Sequence, residues 1–304
     1  MVNFPISCGK HGGEAEILTK RGEKRAVFCA IGAAALYALN TPVSKLLLRE
    51  VSSTMMAALL YLGAGLGLLA LLPFRKGELP LAREDLPYTI GMVLLDIAAP
   101  ICLMFGLART TAANASLLNN FEIVATALIA LFVFKEQISK RLWAAIFLVT
   151  ASSILLTVED VSGFSFSIGS VFVLLACVCW GFENNCTRML SQKDPLEIVV
   201  IKGFGSGLGS LAIALAMGER VPRVRFLLAA LLLGFFAYGL SICFYIYAQR
   251  ELGAAKTSTY YALAPFIGVF LSFLIFREPP TLSFGIALAV MIAGAYLAAT
   301  DTPA

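Results

Sequence analysis

Apolar residues in this chain run in blocks and do not alternate with polar ones. Stretches such as Leu66 to Leu72 and Leu227 to Leu233 are continuously apolar. Polar punctuation divides the sequence into ten such segments, roughly 26–47, 54–73, 86–107, 112–134, 141–158, 168–189, 196–217, 225–248, 256–276 and 282–300. The breaks carry turn and charge signals, among them Arg75-Lys76-Gly77-Glu78, Lys135-Glu136, Lys193-Asp194-Pro195, Gly218-Glu219-Arg220 and Arg277-Glu278-Pro279-Pro280. A membrane-spanning helix needs about 20 mostly apolar residues, whereas the strands of a membrane β-barrel alternate in polarity. The pattern therefore predicts an all-α integral membrane fold with ten transmembrane helices.

Composition narrows the function classes. Of 304 residues, 59% are hydrophobic and 14% charged, against about 45–50% and about 25% in a soluble globular domain. That excludes a soluble enzyme, and it also excludes a disordered chain, which needs low hydrophobicity and high charge. The single histidine, His11, removes HExxH metal sites and Ser-His-Asp triads. Six of the seven cysteines lie in or beside apolar runs, where cysteine acts as a small hydrophobe. Neither a disulfide framework nor a metal site is expected. Nucleotide-binding and GxSxG motifs are absent, so the expectation is a non-enzyme with no cofactor and no nucleic-acid partner.

The first 25 residues are polar and basic and read as a mobile cytoplasmic tail rather than a cleavable signal peptide. Lys45 and Lys202 lie within spans; with the N-terminus cytoplasmic, the remaining Lys and Arg divide fifteen to six in favour of the cytoplasmic side. The positive-inside rule then predicts a multi-pass protein of a bacterial-type cytoplasmic (inner) membrane with both termini cytoplasmic. The bias comes from the first five helices.

The chain also matches itself at an offset of 142 to 143 residues. Gly63, Gly65 and Gly67 correspond to Gly205, Gly207 and Gly209. Ala112, Ala113, Ser116, Phe134 and Glu136 correspond to Ala254, Ala255, Ser258, Phe276 and Glu278. Tyr37, Asn40, Thr41, Ser44 and Lys45 correspond to Trp180, Glu183, Asn184, Thr187 and Arg188. The organisation read from this is a tail over 1–25, a first five-helix repeat over 26–160 and a second over 166–300. Five is odd, so the halves enter the membrane from opposite sides and form an inverted repeat. Inverted repeats are a transporter design in which solute binds near the midplane between halves that rock.

The repeats also resemble a known family. Each fourth span closes on an apolar run followed by a basic residue and Glu (Phe134-Lys135-Glu136, Phe276-Arg277-Glu278). The segment Leu252-Gly253-Ala254-Ala255-Lys256-Thr257-Ser258, leading to Ala264-Pro265, is similar to the second-repeat motif of EamA-type members of the drug/metabolite transporter superfamily. The first repeat carries Thr110 to Ser116 in the same place, with Ile123 where the proline would stand. The resemblance covers about residues 26 to 300. It implies export or exchange of small metabolites, often amino acids or related compounds, by alternating access.

An ionisable group at the bilayer centre costs about 2.5–3.5 kcal/mol on insertion scales, so it should face a cavity or a partner. At about 100° per residue, Trp180, Glu183, Asn184 and Thr187 share one face of the sixth span, and Tyr37, Asn40, Thr41 and Ser44 repeat it in the first. Ser116, Asn119, Glu122 and Thr126 align in the fourth, with Asn120 beside them. Lys202 and Ser206 align in the seventh, Tyr238, Ser241 and Tyr245 in the eighth, and Tyr261, Pro265 and Ser272 in the ninth. The residues expected to bind solute are Tyr37, Asn40, Asn119, Glu122, Trp180, Glu183, Asn184, Lys202, Tyr238 and Tyr261. Burial disfavours a charged carboxylate, which makes Glu183, Glu122 and Asp96 candidates for proton coupling.

Alternatives stand beside several of these readings. Glu183 and Lys202 also fit a buried ion pair, which is compatible with a cavity role, and Asp96 fits a partner for the kink at Pro100. Ser44, Thr126, Ser206 and Ser272 fit interhelical hydrogen bonds, and Glu136 and Glu278 the membrane interface. The run Gly203 to Gly209 lies mid-span and reads as close helix packing, not as a phosphate cradle. With acid and base both in the lining, a zwitterion such as an amino acid is the natural ligand. The partners expected are a small-molecule solute, the lipid bilayer and protons, with the chain a monomer or homodimer. The competing class is a non-transporting membrane sensor or assembly protein.

Overall fold

The computed structural model describes residues 11–74, 79–110, 115, 118–119, 121–158, 168–261, 263–276 and 282–300. Ser116, Asn120, Arg277 and Glu278 lie outside the described residues, as do the side chains of Pro265 and Ser272. Most helices fall where the apolar segments predict them, although one, Ser241–Tyr261, runs through the break expected between the eighth and ninth segments. They are α1 (His11–Tyr37), α2 (Asn40–Leu47), α3 (Ser53–Leu69), α4 (Leu86–Ala108), α5 (Phe121–Phe132) and α6 (Lys140–Val158), followed by α7 (Ile168–Leu190), α8 (Pro195–Ala216), α9 (Val224–Gly234), α10 (Ser241–Tyr261), α11 (Leu263–Phe276) and α12 (Leu282–Ala299).

Three features depart from straight spans. The first segment breaks between Tyr37 and Asn40 because Pro42 lacks the amide that would bond Ala38 and its ring crowds that carbonyl. One π-helical turn, Phe235–Leu240, joins α9 to α10 and carries Tyr238. Gly253, at φ 77°, kinks α10 in a conformation that favours glycine. Upstream, α1 begins at His11, within the expected tail.

Helix starts follow local chemistry. Asp194 caps α8, its side chain accepting from the Leu196 amide at 2.9 Å, with Pro195 in the first turn. The start of α3 is capped from elsewhere. Glu219 accepts from the Ser52 hydroxyl and the Met55 amide, both at 2.7 Å.

The surface and interior are inverted relative to a soluble protein. Leu66, Leu94, Phe147 and Leu228 are exposed, while Asn40, Asp96, Glu183, Lys202, Ser206 and Gln249 are buried. Five helical stretches among the described residues are long and apolar enough to cross a bilayer: Gly22–Leu47, Arg83–Arg109, Ile168–Leu190, Pro195–Ala216 and the 52-residue Val224–Ile275. Ser53–Leu69, Phe121–Phe132 and Gly285–Gly294 are shorter apolar helices. The chain is a multi-pass membrane protein.

The main packing partners are α4 with α7, α3 with α8, α1 with α10, α6 with α12 and α5 with α7. Glycines set the closest crossings. A Cβ on Gly203 would strike the backbone of Gly65, where α3 and α8 touch. On α3, Gly63 meets Leu231 and Gly67 meets the Phe235 ring. On α8, Gly205 meets Val93 and Gly209 meets Ile97. Each glycine stripe thus seats the following span of its partner half, and together they draw four helices around one centre.

Candidate functional site

The centre is polar and charged. Lys202 on α8 is 2% exposed, and its Nζ donates to Glu183 Oε1 at 2.7 Å. On its other side it faces Asp96 Oδ2 of α4 at 3.2 Å, as an ion pair. Glu183 also accepts from the Thr187 hydroxyl one helical turn along α7. Asp96 is fully buried and accepts from the Tyr61 hydroxyl of α3 at 2.6 Å. One ammonium therefore ties together α4, α7 and α8, and the phenol draws in α3. The Asp96 side chain is thus engaged by Lys202 and Tyr61.

Glu122 stands in the first turn of α5. Its Oε1 accepts from Asn184 Nδ2 at 2.7 Å, and the same amide reaches Thr126 Oγ1 at 3.2 Å. No Lys or Arg forms a salt bridge with it among the described residues.

Aromatic rings close the space between these groups. Tyr37 contacts Trp180 edge-on with centroids 6.3 Å apart, Tyr238 at 5.8 Å and Tyr261 at 5.3 Å. Tyr61 meets Tyr238 at 5.0 Å, and Tyr245 meets Tyr261 at 4.9 Å. The break before Asn40 and the π turn at Tyr238 place two of these rings. Tyr37 and Trp180, which correspond in the two repeats, meet face to edge at the centre.

These side chains enclose a cavity of about 40 Å³. That holds about three waters, less than a metabolite needs. Eight of the ten expected solute-binding residues line it: Tyr37, Glu122, Trp180, Glu183, Asn184, Lys202, Tyr238 and Tyr261, with Asp96 beside them. Asn40 and Asn119 do not. Asn40 sits behind the wall, donating to the Tyr238 hydroxyl at 3.4 Å and accepting from Ser44 at 2.9 Å. Asn119 faces the Cys177 thiol at 4.0 Å.

Tyr61, Ile242 and Tyr245 also line the cavity. Tyr245 lies on the aromatic stripe of the eighth span. Tyr61 carries one signal, that of a lone phenol within an unbroken apolar run. The hydroxyls Ser44, Thr126 and Ser206 tie residues or helices together, Ser206 donating to the Val93 carbonyl at 3.2 Å.

Comparison with known proteins agrees with this layout. The EamA-like transporter family model matches the chain twice, over residues 24–158 and 167–300. An uncharacterized transporter of Methanothermobacter thermautotrophicus is 26% identical over 290 residues, 88% of this chain and 84% of that protein. The uncharacterized inner membrane transporter YedA of Escherichia coli K12 is 25% identical over 228 residues, 71% of this chain and 72% of its own length. A solved crystal structure superposes with a TM-score of 0.74 at 17% identity, over 90% of this chain and 96% of that one, which establishes the shared fold. With both halves matched, the chain belongs to the EamA-like transporter family.

Proposed function

We propose that the protein is a secondary active transporter, an exporter or exchanger of small organic metabolites such as amino acids or related compounds, working by alternating access. Its two inverted five-helix halves make ten crossings of a cytoplasmic membrane, and both termini are cytoplasmic. The observation that carries this reading is the central cavity. Its charged and aromatic lining comes from both halves: Tyr37, Tyr61, Asp96 and Glu122 from the first, and Trp180, Glu183, Asn184, Lys202 and Tyr261 among those from the second. A solute held there touches both moving bodies.

Contacts between the helix ends support the alternating topology. Glu219 reaches Ser52, and Lys45 donates to the carbonyls of Leu107 and Thr110 at 2.6 and 2.5 Å; all of these positions fall on the expected outer side. Lys193 pairs with Asp85 at 3.0 Å and Lys256 with Glu23 at 3.1 Å, all on the expected cytoplasmic side.

Lys45 and Arg188 correspond in the two repeats and act as opposed latches. Lys45 holds the end of α4. Arg188 stands beside Gly253, where Glu136 also reaches. Opening one latch at a time gives alternating access.

The motive force is a solute or proton gradient. Lys202 engages Asp96 and Glu183, so Glu122 is the carboxylate best placed to exchange a proton. Uptake and exchange by purified protein in proteoliposomes, run with a panel of amino acids and neutral metabolites, test the reading. Saturable transport of at least one is expected; none with any of them would overturn it.

A further inference from the structure

The charge arrangement narrows the solute, and this inference rests on the transporter reading above. Three carboxylates face the cavity with one ammonium among the described residues. Lys202 already contacts two of them, Asp96 at 3.2 Å and Glu183 at 2.7 Å. A solute carboxylate entering here would face three carboxyl groups, with the lining's one ammonium among the described residues already engaged. A solute ammonium would instead meet Glu122, whose hydrogen-bond partner is the neutral Asn184 amide.

The walls favour the same charge. Tyr37, Tyr261 and Tyr245 form a continuous run of rings with centroids 5.3 and 4.9 Å apart, and Trp180 stands edge-on to Tyr37. The faces of such rings attract cations, most strongly where water is excluded. The Tyr37 hydroxyl is buried, and the residue lines the cavity. Its oxygen can accept from an ammonium N–H.

We propose that the cavity recognises its solute by a protonated amine, received by Glu122 within the aromatic box of Tyr37, Trp180, Tyr245 and Tyr261. The amine is the required group, and a solute carboxylate is dispensable.

The chain has two tryptophans, so Trp143→Phe leaves Trp180 as a fluorescent reporter in the cavity wall. The variant in nanodiscs is titrated with phenethylamine, its N-acetyl derivative and 3-phenylpropionate, which share a ring and differ in charge. Phenethylamine should give a saturable change in Trp180 emission, and the other two should give none. Glu122→Gln should weaken the amine by at least about ten-fold, and Glu122→Asp, which keeps the charge, should weaken it less.

The ligand series needs no change at Glu122, so it stands even if those variants fold poorly. The proposal is overturned by saturable binding of 3-phenylpropionate without phenethylamine, by no saturable response to the amine, or by a Kd unchanged in a folded Glu122→Gln variant. Amine binding without uptake in proteoliposomes would contradict the transporter reading and leave this inference in place.

Discussion

Lys202 is the residue on which the centre depends. Its ammonium is the shared partner of two carboxylates that are each at most 3% exposed. Removing one member of a buried ion cluster leaves uncompensated charge and costs about 3–5 kcal/mol, whereas replacing the whole cluster by neutral groups is often close to neutral. Lys202→Met should therefore lower the thermal unfolding midpoint in detergent sharply. Adding Asp96→Asn and Glu183→Gln to that variant should restore most of the loss without restoring transport. An unchanged midpoint in Lys202→Met would mean that the pairs carry no such load.

Helical phasing is enough to put Glu183, Asn184 and Trp180 on the inner face, because with Thr187 they share one face of α7. It does not give depth. Asn40 has the right direction but lies one layer behind Tyr238, and Asn119 turns toward Cys177. Tyr61 stays hidden because a phenol in an apolar run reads as packing until its partner Asp96, 35 residues away, is placed beside it.

At the scale of elements, the apolar segments forecast the helices closely, since lipid imposes both length and polarity. The interruptions are harder to read. Pro42 carries a local reason for the break at Tyr37–Asn40, whereas the π turn at Phe235–Leu240 has no comparable mark in the sequence. There Tyr238 stands between Tyr61 and Tyr37 while Gly234 packs on Leu60.

The glycine runs read as packing surfaces, and the structure supplies their partners. Gly203→Val would force α3 and α8 apart, an overpacking that costs about 1–3 kcal/mol. A Cβ on Gly285 would meet nothing within 4 Å. Differential scanning fluorimetry should show a clear fall in unfolding temperature for Gly203→Val and little change for Gly285→Ala. Equal effects would remove the α3–α8 crossing as a determinant of stability.

The whole molecule is governed by its internal repeat. The offset of 142 to 143 residues is visible in glycines and in a handful of polar positions. In three dimensions α3 crosses α9 at Gly63 and Leu231, and α8 crosses α4 at Gly205, the equivalent glycine, and Val93. Tyr37 also meets its counterpart Trp180. Which solute fits cannot be read from the pattern, because it depends on which carboxylates Lys202 takes and which it leaves.

Alternating access requires that the two halves open the cavity to one side at a time. Leu48 and Ser191 stand at equivalent places in the repeats, three residues beyond Lys45 and Arg188 respectively. Single cysteines at these two positions, in a chain stripped of its native cysteines, can be labelled with a membrane-impermeant maleimide from either face of a proteoliposome. Saturating solute should raise labelling at one position and lower it at the other, with the sign reversed when the gradient is reversed. Labelling that rises or falls together at both positions, or ignores solute, would contradict alternating access.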